Sequence, residues 1–174
     1  MEPPRKGPRP VFLAPPGVKN LALDRPVTAS TEDPLLGDLE WVTDGYKEAV
    51  EGTYVELDAG RQYVQVDLGQ PCQLHAVVIW HYHFLPRVYH DVVVQVAEDE
   101  DFITGVQTLF NNDHDNSSGL GVGKQKEYFE TFEGKLVEAK GVKARYVRCY
   151  TRGSTDDGLN HVTEVEVFGS VPTP

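Results

Sequence analysis

Three segments of the sequence combine histidine with amide, carboxylate, guanidinium and aromatic side chains. They are residues 81–90, residues 111–116 and the pair Asn160-His161. Planar donors and acceptors of this kind recognise the hydroxyl groups of a sugar, while an aromatic ring covers its apolar face. The candidate ligand-binding residues are His81, Tyr82, His83, Arg87, Tyr89, Asn112, Asp113, His114, Asn160 and His161.

The same histidines offer a second chemistry, that of a transition-metal site. Imidazole and carboxylate groups suit zinc or iron, and the His-x-His spacing of residues 81–83 places both rings on one face of a strand. No established catalytic signature accompanies them, neither a metal-protease motif nor a serine nucleophile elbow. We therefore expect a protein without catalytic activity, and a metal-dependent enzyme that uses the histidines is the least favoured alternative.

The elements that must position these residues are short β-strands. Residues 63–68 alternate apolar and polar side chains, which predicts a strand with one buried face. The apolar run within residues 75–83 predicts a strand buried on both faces. Similar patterns recur in residues 91–97, 145–150 and 161–168. Gly, Asn, Asp and Pro clusters separate the strands and almost no helical periodicity is present, so the sequence predicts an all-β sandwich or barrel.

The charge balance limits the class of partner. The 174 residues include 27 acidic and 16 basic side chains, a formal net charge of −11. Nucleic-acid binding needs a basic face and adsorption to anionic lipid needs positive charge, so we expect no nucleic-acid partner and no membrane partner. The two cysteines, Cys72 and Cys149, have neither metal-binding nor redox spacing, and whether they pair stays open at this point.

The N-terminal segment differs in composition from the rest. Half of the 12 prolines lie in the first 16 residues, interleaved with basic side chains. This composition predicts an extended, proline-stiffened segment over residues 1–19 that is not part of the core. The ordered domain is then expected over residues 20–169, followed by a tail at residues 170–174.

Four segments, in this order, resemble the discoidin or coagulation-factor type C domain of the galactose-binding-like superfamily. They are residues 20–30 (NLALDRPVTAS), 42–45 (VTDG), 63–69 (YVQVDLG), and an ending made by residues 144–148 (ARYVR) and 163–169 (TEVEVFG). The match covers nearly all of the expected domain and is nearest to bacterial carbohydrate-binding modules. It implies a jelly-roll β-sandwich of about eight antiparallel strands, with the binding loops at one end.

The resemblance also implies a structural calcium ion. Calcium takes six to eight oxygen ligands, which a turn supplies as carbonyl and carboxylate groups. In this sequence the carried-over side chains are Asp44 and Glu164, with backbone carbonyls from Trp41, Tyr46 and Thr163. Ala49 stands where relatives have a threonine ligand, so Thr53 is the candidate for that role. The alternative is a turn in which Asp44 bonds only to its own backbone.

Together these observations predict a noncatalytic carbohydrate-binding module, with structural calcium as its cofactor and a carbohydrate as its partner. By the resemblance, we expect it to be secreted or displayed at the cell surface after removal of a leader peptide. We expect a monomer or a part of a larger chain. One alternative is a protein-interaction or adhesion domain that uses the same loops. Another is a lipid-binding domain that inserts Phe84 and Leu85, although only Arg87 supplies positive charge nearby.

Overall fold

The computed structural model describes residues 1–173 and is built almost entirely from antiparallel strands. The strands are β1 (Lys19–Asn20), β2 (Val27–Ala29), β3 (Val55–Leu57), β4 (Gln62–His81), β5 (Val93–Ala97), β6 (Gln107–Asn111), β7 (Lys135–Thr151) and β8 (Asn160–Ser170). The one helix in the described residues is a short 3-10 helix, Leu39–Thr43. No helix among residues 1–173 is long and apolar enough to cross a bilayer. The predicted all-β class is confirmed.

Strands β4 and β7 form a long ribbon that contributes to both layers of the sandwich. Residues 62–67 of β4 pair with β2 and with the end of β7, whereas residues 72–81 pair with β8 and the beginning of β7. A register shift separates the two halves, and Gly69 in this interval has a φ of +82°, which favours glycine. One layer therefore runs β2-β4-β7-β5-β6, and the other joins β7, β4 and β8 to the short strands β1 and β3.

The apolar faces of the two layers meet in one core. Val64 and Val66 from the first half of β4 are fully buried in the same cluster as Ile79 from its second half. Burying each such side chain stabilises the fold by about 1.5–3 kcal/mol. The cysteines are two free, buried thiols, and burial raises the pKa of Cys149 to about 12.

The observed strands differ in length from the predicted ones. Strand β4 joins two segments that the sequence pattern separates, residues 63–68 and the predicted 75–83, of which it includes residues 75–81. Strand β5 begins two residues after the start of the predicted strand 91–97. The family-like opening, residues 20–30, divides between the short strands β1 and β2. Strands β3 and β6 were not predicted, because three and five residues with little alternation carry a weak signal.

The proline-rich N-terminal segment lies outside the core but is tied to the segment that precedes β7. The Glu2 amide donates to the Glu127 carbonyl at 2.6 Å, and the Glu2 carboxylate accepts from Lys135 Nζ at 2.6 Å. Further along, the Arg9 amide donates to Glu133 Oε1 at 2.8 Å. The segment thus folds back on the domain over residues 1–9.

Candidate functional site

Three loops converge at the end of the sandwich where β4 ends. They are the β4–β5 loop (residues 82–92), the β6–β7 loop (residues 112–134) and the β7–β8 loop (residues 152–159). The Thr155 amide donates to the Val88 carbonyl at 2.9 Å, and the Glu130 amide donates to the Arg87 carbonyl at 3.0 Å. These bonds join the β4–β5 loop to both other loops. We call this end of the sandwich the loop end.

His81 forms a buried pair with Glu130 at the loop end. Its Nδ1 lies 2.7 Å from Glu130 Oε1, and both side chains are fully buried. The His81 ring stacks on Tyr89 with 4.6 Å between ring centroids, and its Nε2 has no hydrogen-bond partner in the described residues. His81 was expected to contact ligand at the surface, but it continues the buried apolar run of β4 and lies in the interior.

His161 links the same tyrosine to a second carboxylate. The Tyr89 hydroxyl lies 2.8 Å from His161 Nδ1, and His161 Nε2 lies 3.1 Å from Glu56 Oε2. Burial lowers the pKa of His161 below its usual range, which favours the neutral ring. The neutral ring donates from Nε2 to Glu56 and accepts the Tyr89 proton at Nδ1. Glu56 reaches His161 because the two residues are cross-strand partners in β3 and β8.

Arg87 provides the positive charge of the loop end. Its Nη2 donates to Asp156 Oδ2 at 2.8 Å, and its guanidinium lies 4.5 Å from the centroid of the Tyr82 ring. The arginine side chain is 8% exposed and the aspartate side chain 61% exposed. Tyr54 packs edge-on against both Tyr82 and His161, at 5.2 Å in each case. The exposed edge of this arrangement is therefore acidic and aromatic, above a buried arginine.

We call this set the loop-end cluster. It consists of Tyr54, Glu56, Tyr82, Arg87, Asp156 and His161. Three of its members were candidate ligand-binding residues from the sequence. Its carboxylates and Tyr54 were missed, because they lie in loops and in a three-residue strand with no distinctive local pattern. That Tyr82, Arg87 and His161 bind ligand stays a prediction.

The other candidate residues stabilise the loops. Asn160 donates to the Asp58 carbonyl at 2.7 Å, and Asn112 Oδ1 accepts from the Val92 amide at 2.7 Å. His83 Nδ1 lies 2.9 Å from the His81 carbonyl oxygen. The Asp113 carboxylate accepts from the Ser118 amide at 2.8 Å, and His114 Nε2 bonds to the Gln125 carbonyl at 2.8 Å. None of these bonds reaches the loop-end cluster.

The histidines do not form a metal site. Within residues 1–173 the one group of three or more possible ligand side chains is Asp91, Asp113 and Asp115, whose oxygens lie within 4.8 Å of one another. Ser117 accounts for part of this group, since its hydroxyl donates to Asp91 Oδ2 at 2.7 Å and its amide to Asp113 Oδ1 at 3.1 Å. The histidines therefore do not converge as the alternative of a metal-dependent enzyme requires.

The Asp44-Gly45 turn brings the expected calcium ligands together. Glu164 is fully buried, and both of its carboxylate oxygens lie 3.2 Å from the Gly45 amide nitrogen. Burial, with a smaller effect from nearby Asp44, raises the pKa of Glu164 to about 8. Asp44 Oδ1 accepts from the Tyr46 amide at 2.8 Å, as the alternative of a simple turn requires. We call this region the acidic turn.

A small cavity lies beside this turn. It measures about 150 Å³ and is lined by Trp41, Asp44, Tyr46 and Thr53, four of the six residues in the expected calcium set. Thr163, which precedes Glu164 in β8, has a buried hydroxyl without a hydrogen-bond partner in the described residues, but it does not line the cavity. A buried carboxylate, a second carboxylate close by and a cavity lined by oxygen-bearing residues fit a calcium ion.

Comparison with known proteins rests on structure alone. No protein-family model matches the sequence, and no curated protein does. Among solved structures, a Streptococcus pneumoniae fucose-binding module is similar with a TM-score of 0.60 at 20% identity, covering 90% of this chain and 99% of that one. A CBM32 module of AlyQ in complex with 4,5-unsaturated mannuronic acid gives 0.58 at 19% identity, covering 84% and 96%.

The fold also occurs inside a longer chain. A Clostridium perfringens family 89 glycoside hydrolase matches 89% of this chain with a TM-score of 0.63 at 18% identity, but only 16% of its own length is covered. The similar structures thus include both separate modules and a segment of a large enzyme. The likeness confirms that this chain shares the β-sandwich fold of these modules, as the resemblance in the sequence predicts.

Proposed function

We propose that the protein is a noncatalytic carbohydrate-binding module whose sugar site lies at the loop end. The observation that carries the proposal is the loop-end cluster, where an arginine–aspartate pair lies on a tyrosine ring beside a second tyrosine. A sugar hydroxyl bonds well to such planar charged groups, and the apolar face of the sugar packs on an aromatic ring.

The roles within the cluster follow from exposure. Asp156 and the half-buried Tyr54 face solvent, so they are the groups that contact the sugar first. Arg87 is buried, and its Nη2 holds the Asp156 carboxylate at the exposed edge at 2.8 Å. His161 fixes the position of Glu56 through their 3.1 Å contact. The fully buried His81–Glu130 pair supports the loops from below.

The similar structures support the same function. The AlyQ module is in complex with 4,5-unsaturated mannuronic acid, the Streptococcus pneumoniae module binds fucose, and the lectin domain of lectinolysin is in complex with the Lewis B antigen. These ligands differ in charge and composition, so the fold by itself does not select one sugar. The selection has to come from the loop residues of each chain.

We also propose that the acidic turn binds a structural calcium ion. Asp44 and Glu164 would hold it with their carboxylates, and backbone oxygens of Trp41, Tyr46 and Thr163 would complete the set. Thr53 is the candidate for the threonine ligand that Ala49 replaces. The ion would compensate the charge of a buried carboxylate, which otherwise has only the Gly45 amide as its partner. Its role is to stabilise the fold and not to take part in chemistry.

A glycan array tests the sugar proposal directly. The full chain should bind a defined set of glycans, and Arg87→Ala should lose about tenfold or more in affinity for them because it removes a buried hydrogen-bonding group. Arg145→Ala is the matched control, since it removes a bidentate arginine–aspartate pair with Asp67 away from the loop end. The control should keep wild-type affinity. An array without any bound glycan contradicts the proposal.

Calcium is tested by thermal unfolding with and without a chelator. A ligand that binds only the folded state stabilises it by mass action, so the chelated protein should melt at a lower temperature than the calcium-loaded protein. Asp44→Ala should abolish the difference. Identical melting curves for the wild-type protein in both conditions would show that the turn holds no calcium.

Protein interaction is the second candidate function. Phe84 and Leu85 at the tip of the β4–β5 loop are 71% and 54% exposed. Phe129 and Phe132 in the β6–β7 loop are also exposed, and with Pro86 they line a second cavity of about 310 Å³ beside the N-terminal segment. Exposed apolar groups of this size are typical of protein contacts. A glycan array on which no glycan binds would favour this function.

A further inference from the structure

The exposed ionisable side chains of the loop-end cluster are carboxylates. Asp156 is 61% exposed and Glu56 is 22% exposed, while the one cation of the cluster, Arg87, is 8% exposed. The arginine charge is also 2.8 Å from the Asp156 carboxylate. A ligand that approaches from solvent therefore meets carboxylates before it meets the guanidinium.

The histidine of the cluster does not offset this charge. Burial lowers the pKa of His161, which favours the neutral ring, so the histidine supplies no positive charge beside the Glu56 carboxylate. Two further carboxylates lie close by, and both are exposed. Glu51 lies in the same loop as Tyr54, and Asp157 follows Asp156 directly. The surface above Tyr54 is thus surrounded by carboxylates on two sides.

The three loops of the loop end also carry more acidic than basic side chains. In residues 82–92, 112–134 and 152–159, acidic side chains outnumber lysine and arginine about two to one. Two of the cations there are already paired: Arg87 lies 2.8 Å from Asp156, and Arg152 lies 3.8 Å from Asp91. A surface dominated by one sign of charge concentrates ligands of the opposite sign.

We infer that the loop end selects sugars that carry a protonated amine, such as glucosamine oligomers, over N-acetylated sugars and over uronic acids. This inference rests on the proposed sugar-binding function and names the substrate class of that same site. The ammonium group would lie near Glu56 and Asp156, within reach of the tyrosine rings, because an ammonium is also attracted by the face of a tyrosine. A carboxylate on the sugar would be repelled by the same residues.

Titration calorimetry with three matched oligosaccharides tests the inference. The probes are a glucosamine oligomer, its fully N-acetylated counterpart and an oligogalacturonide of equal length, each added to the calcium-loaded full chain at a pH where the amine is protonated. The glucosamine oligomer should bind about tenfold more tightly than the N-acetylated form, and the oligogalacturonide should bind most weakly. Raising the salt concentration to about 0.5 M should remove most of the difference, because exposed charges are screened there.

Two conservative variants place the effect at the site. Glu51→Gln and Asp157→Asn each remove one exposed charge, and asparagine keeps the acceptor that bonds the Leu159 amide at 2.9 Å. Each should reduce the preference for the glucosamine oligomer about two- to fivefold and leave the N-acetylated form unaffected. Asp101→Asn is the control, because it removes an exposed charge from the β5–β6 loop at the opposite end. It should change nothing.

The outcomes separate this inference from the proposed function. Binding of none of the glycans, here or on the array, overturns the proposed function and the inference together. Equal or tighter binding of the N-acetylated form, or tightest binding of the oligogalacturonide, overturns the inference and leaves the sugar-binding function standing. A lysine oligomer of equal charge is the last probe. If it binds as tightly as the glucosamine oligomer, the site attracts cations without selecting sugars, and the inference is wrong.

Discussion

The loop end and the acidic turn are both buried polar regions, but their charges are balanced differently. At the loop end each buried ionisable side chain contacts a complementary one: Glu130 lies beside His81, and Arg87 beside Asp156. Single atoms such as His81 Nε2 and Glu130 Oε2 have no partner in the described residues. In the acidic turn Glu164 has only the Gly45 amide, and the nearby lysine, Lys47, bonds to Glu166 instead. The first region thus contains its own partner groups, whereas we propose that the second takes a cation from solution.

This difference fits the separate roles that we propose for the two regions. Paired side chains hold one another in position before a ligand arrives, which lowers the cost of ordering them on binding. A buried carboxylate without a counter-charge is costly in the folded state, and a bound cation removes that cost. The loop end is therefore suited to recognition, and the acidic turn is suited to stabilising the fold.

The largest expected effect is at the buried pair of the loop end. Glu130→Leu leaves the His81 ring buried without its partner, so the free energy of unfolding should fall by about 3–5 kcal/mol. The double variant that also carries His81→Leu should recover about 2 kcal/mol, because replacing both partners by apolar groups leaves no unpaired charge. Urea unfolding measures all three proteins.

A second histidine–glutamate pair supplies the control for this experiment. Glu127 lies 3.2 Å from His90 in the same loop region, but both side chains are more than one-third exposed. Glu127→Leu should therefore cost less than about 1 kcal/mol. If Glu127→Leu and Glu130→Leu lower the free energy of unfolding equally, burial does not distinguish the two pairs, and the buried pair is not a special feature of the loop end.

The next effect is the pH dependence of the acidic turn in chelated protein. The pKa of Glu164 is about 8 in the folded protein, against an ordinary value of 4.5. Between these values the folded state retains a proton that the unfolded state has released, so rising pH favours unfolding. The free energy of unfolding should fall by about 3 kcal/mol from pH 5 to pH 8, as measured by urea titration in a chelating buffer.

Glu164→Gln and calcium both check the source of this dependence. The glutamine variant has no proton to lose, so its profile over the same pH range should be flatter than that of the wild-type protein. Calcium binds the ionised carboxylate and should also flatten the wild-type profile. A chelated wild-type profile that matches the glutamine variant would show that Glu164 ionises normally and that the turn is not short of positive charge.

A smaller effect is expected where the loop end uses a neutral hydrogen bond. Tyr89→Phe removes the hydroxyl that donates to His161 Nδ1 and leaves a buried acceptor without a partner, which should cost about 1–2 kcal/mol. Nitrogen NMR should also show the His161 proton remaining on Nε2, because the Glu56 carboxylate still accepts it. Tyr63→Phe, on the outer face of β4, should change stability by less than about 0.5 kcal/mol. Equal effects of the two variants would contradict the network.

The sequence predicts these regions unequally, for physical reasons. The alternation of residues 63–68 and the Asp-Gly turn are local patterns, so the strand and the turn were both predictable. The burial of His81 was also visible in principle, since it directly continues an apolar run. Its partner Glu130 lies 49 residues away in a loop, and no local periodicity reports a contact of that kind. The loop bonds of Asn112 and Asn160 were unpredictable for the same reason.

The smallest expected effect is at Lys47, and it tests whether Glu164 in the acidic turn lacks a counter-charge. Lys47 bonds to Glu166 at 2.7 Å with 41% of its side chain exposed, and its Nζ lies 5.1 Å from the centroid of the Trp80 ring. Lys47→Gln should therefore cost only about 0.5 kcal/mol in chelated protein, the usual worth of a half-exposed ion pair. It should also leave the stabilisation by calcium unchanged, because the lysine is not the counter-charge of Glu164. Thermal unfolding of the variant with chelator and with calcium measures both quantities. A loss of several kcal/mol that calcium does not restore would mean that Lys47 already balances the charge of the turn, and Glu164 would then not lack a counter-charge.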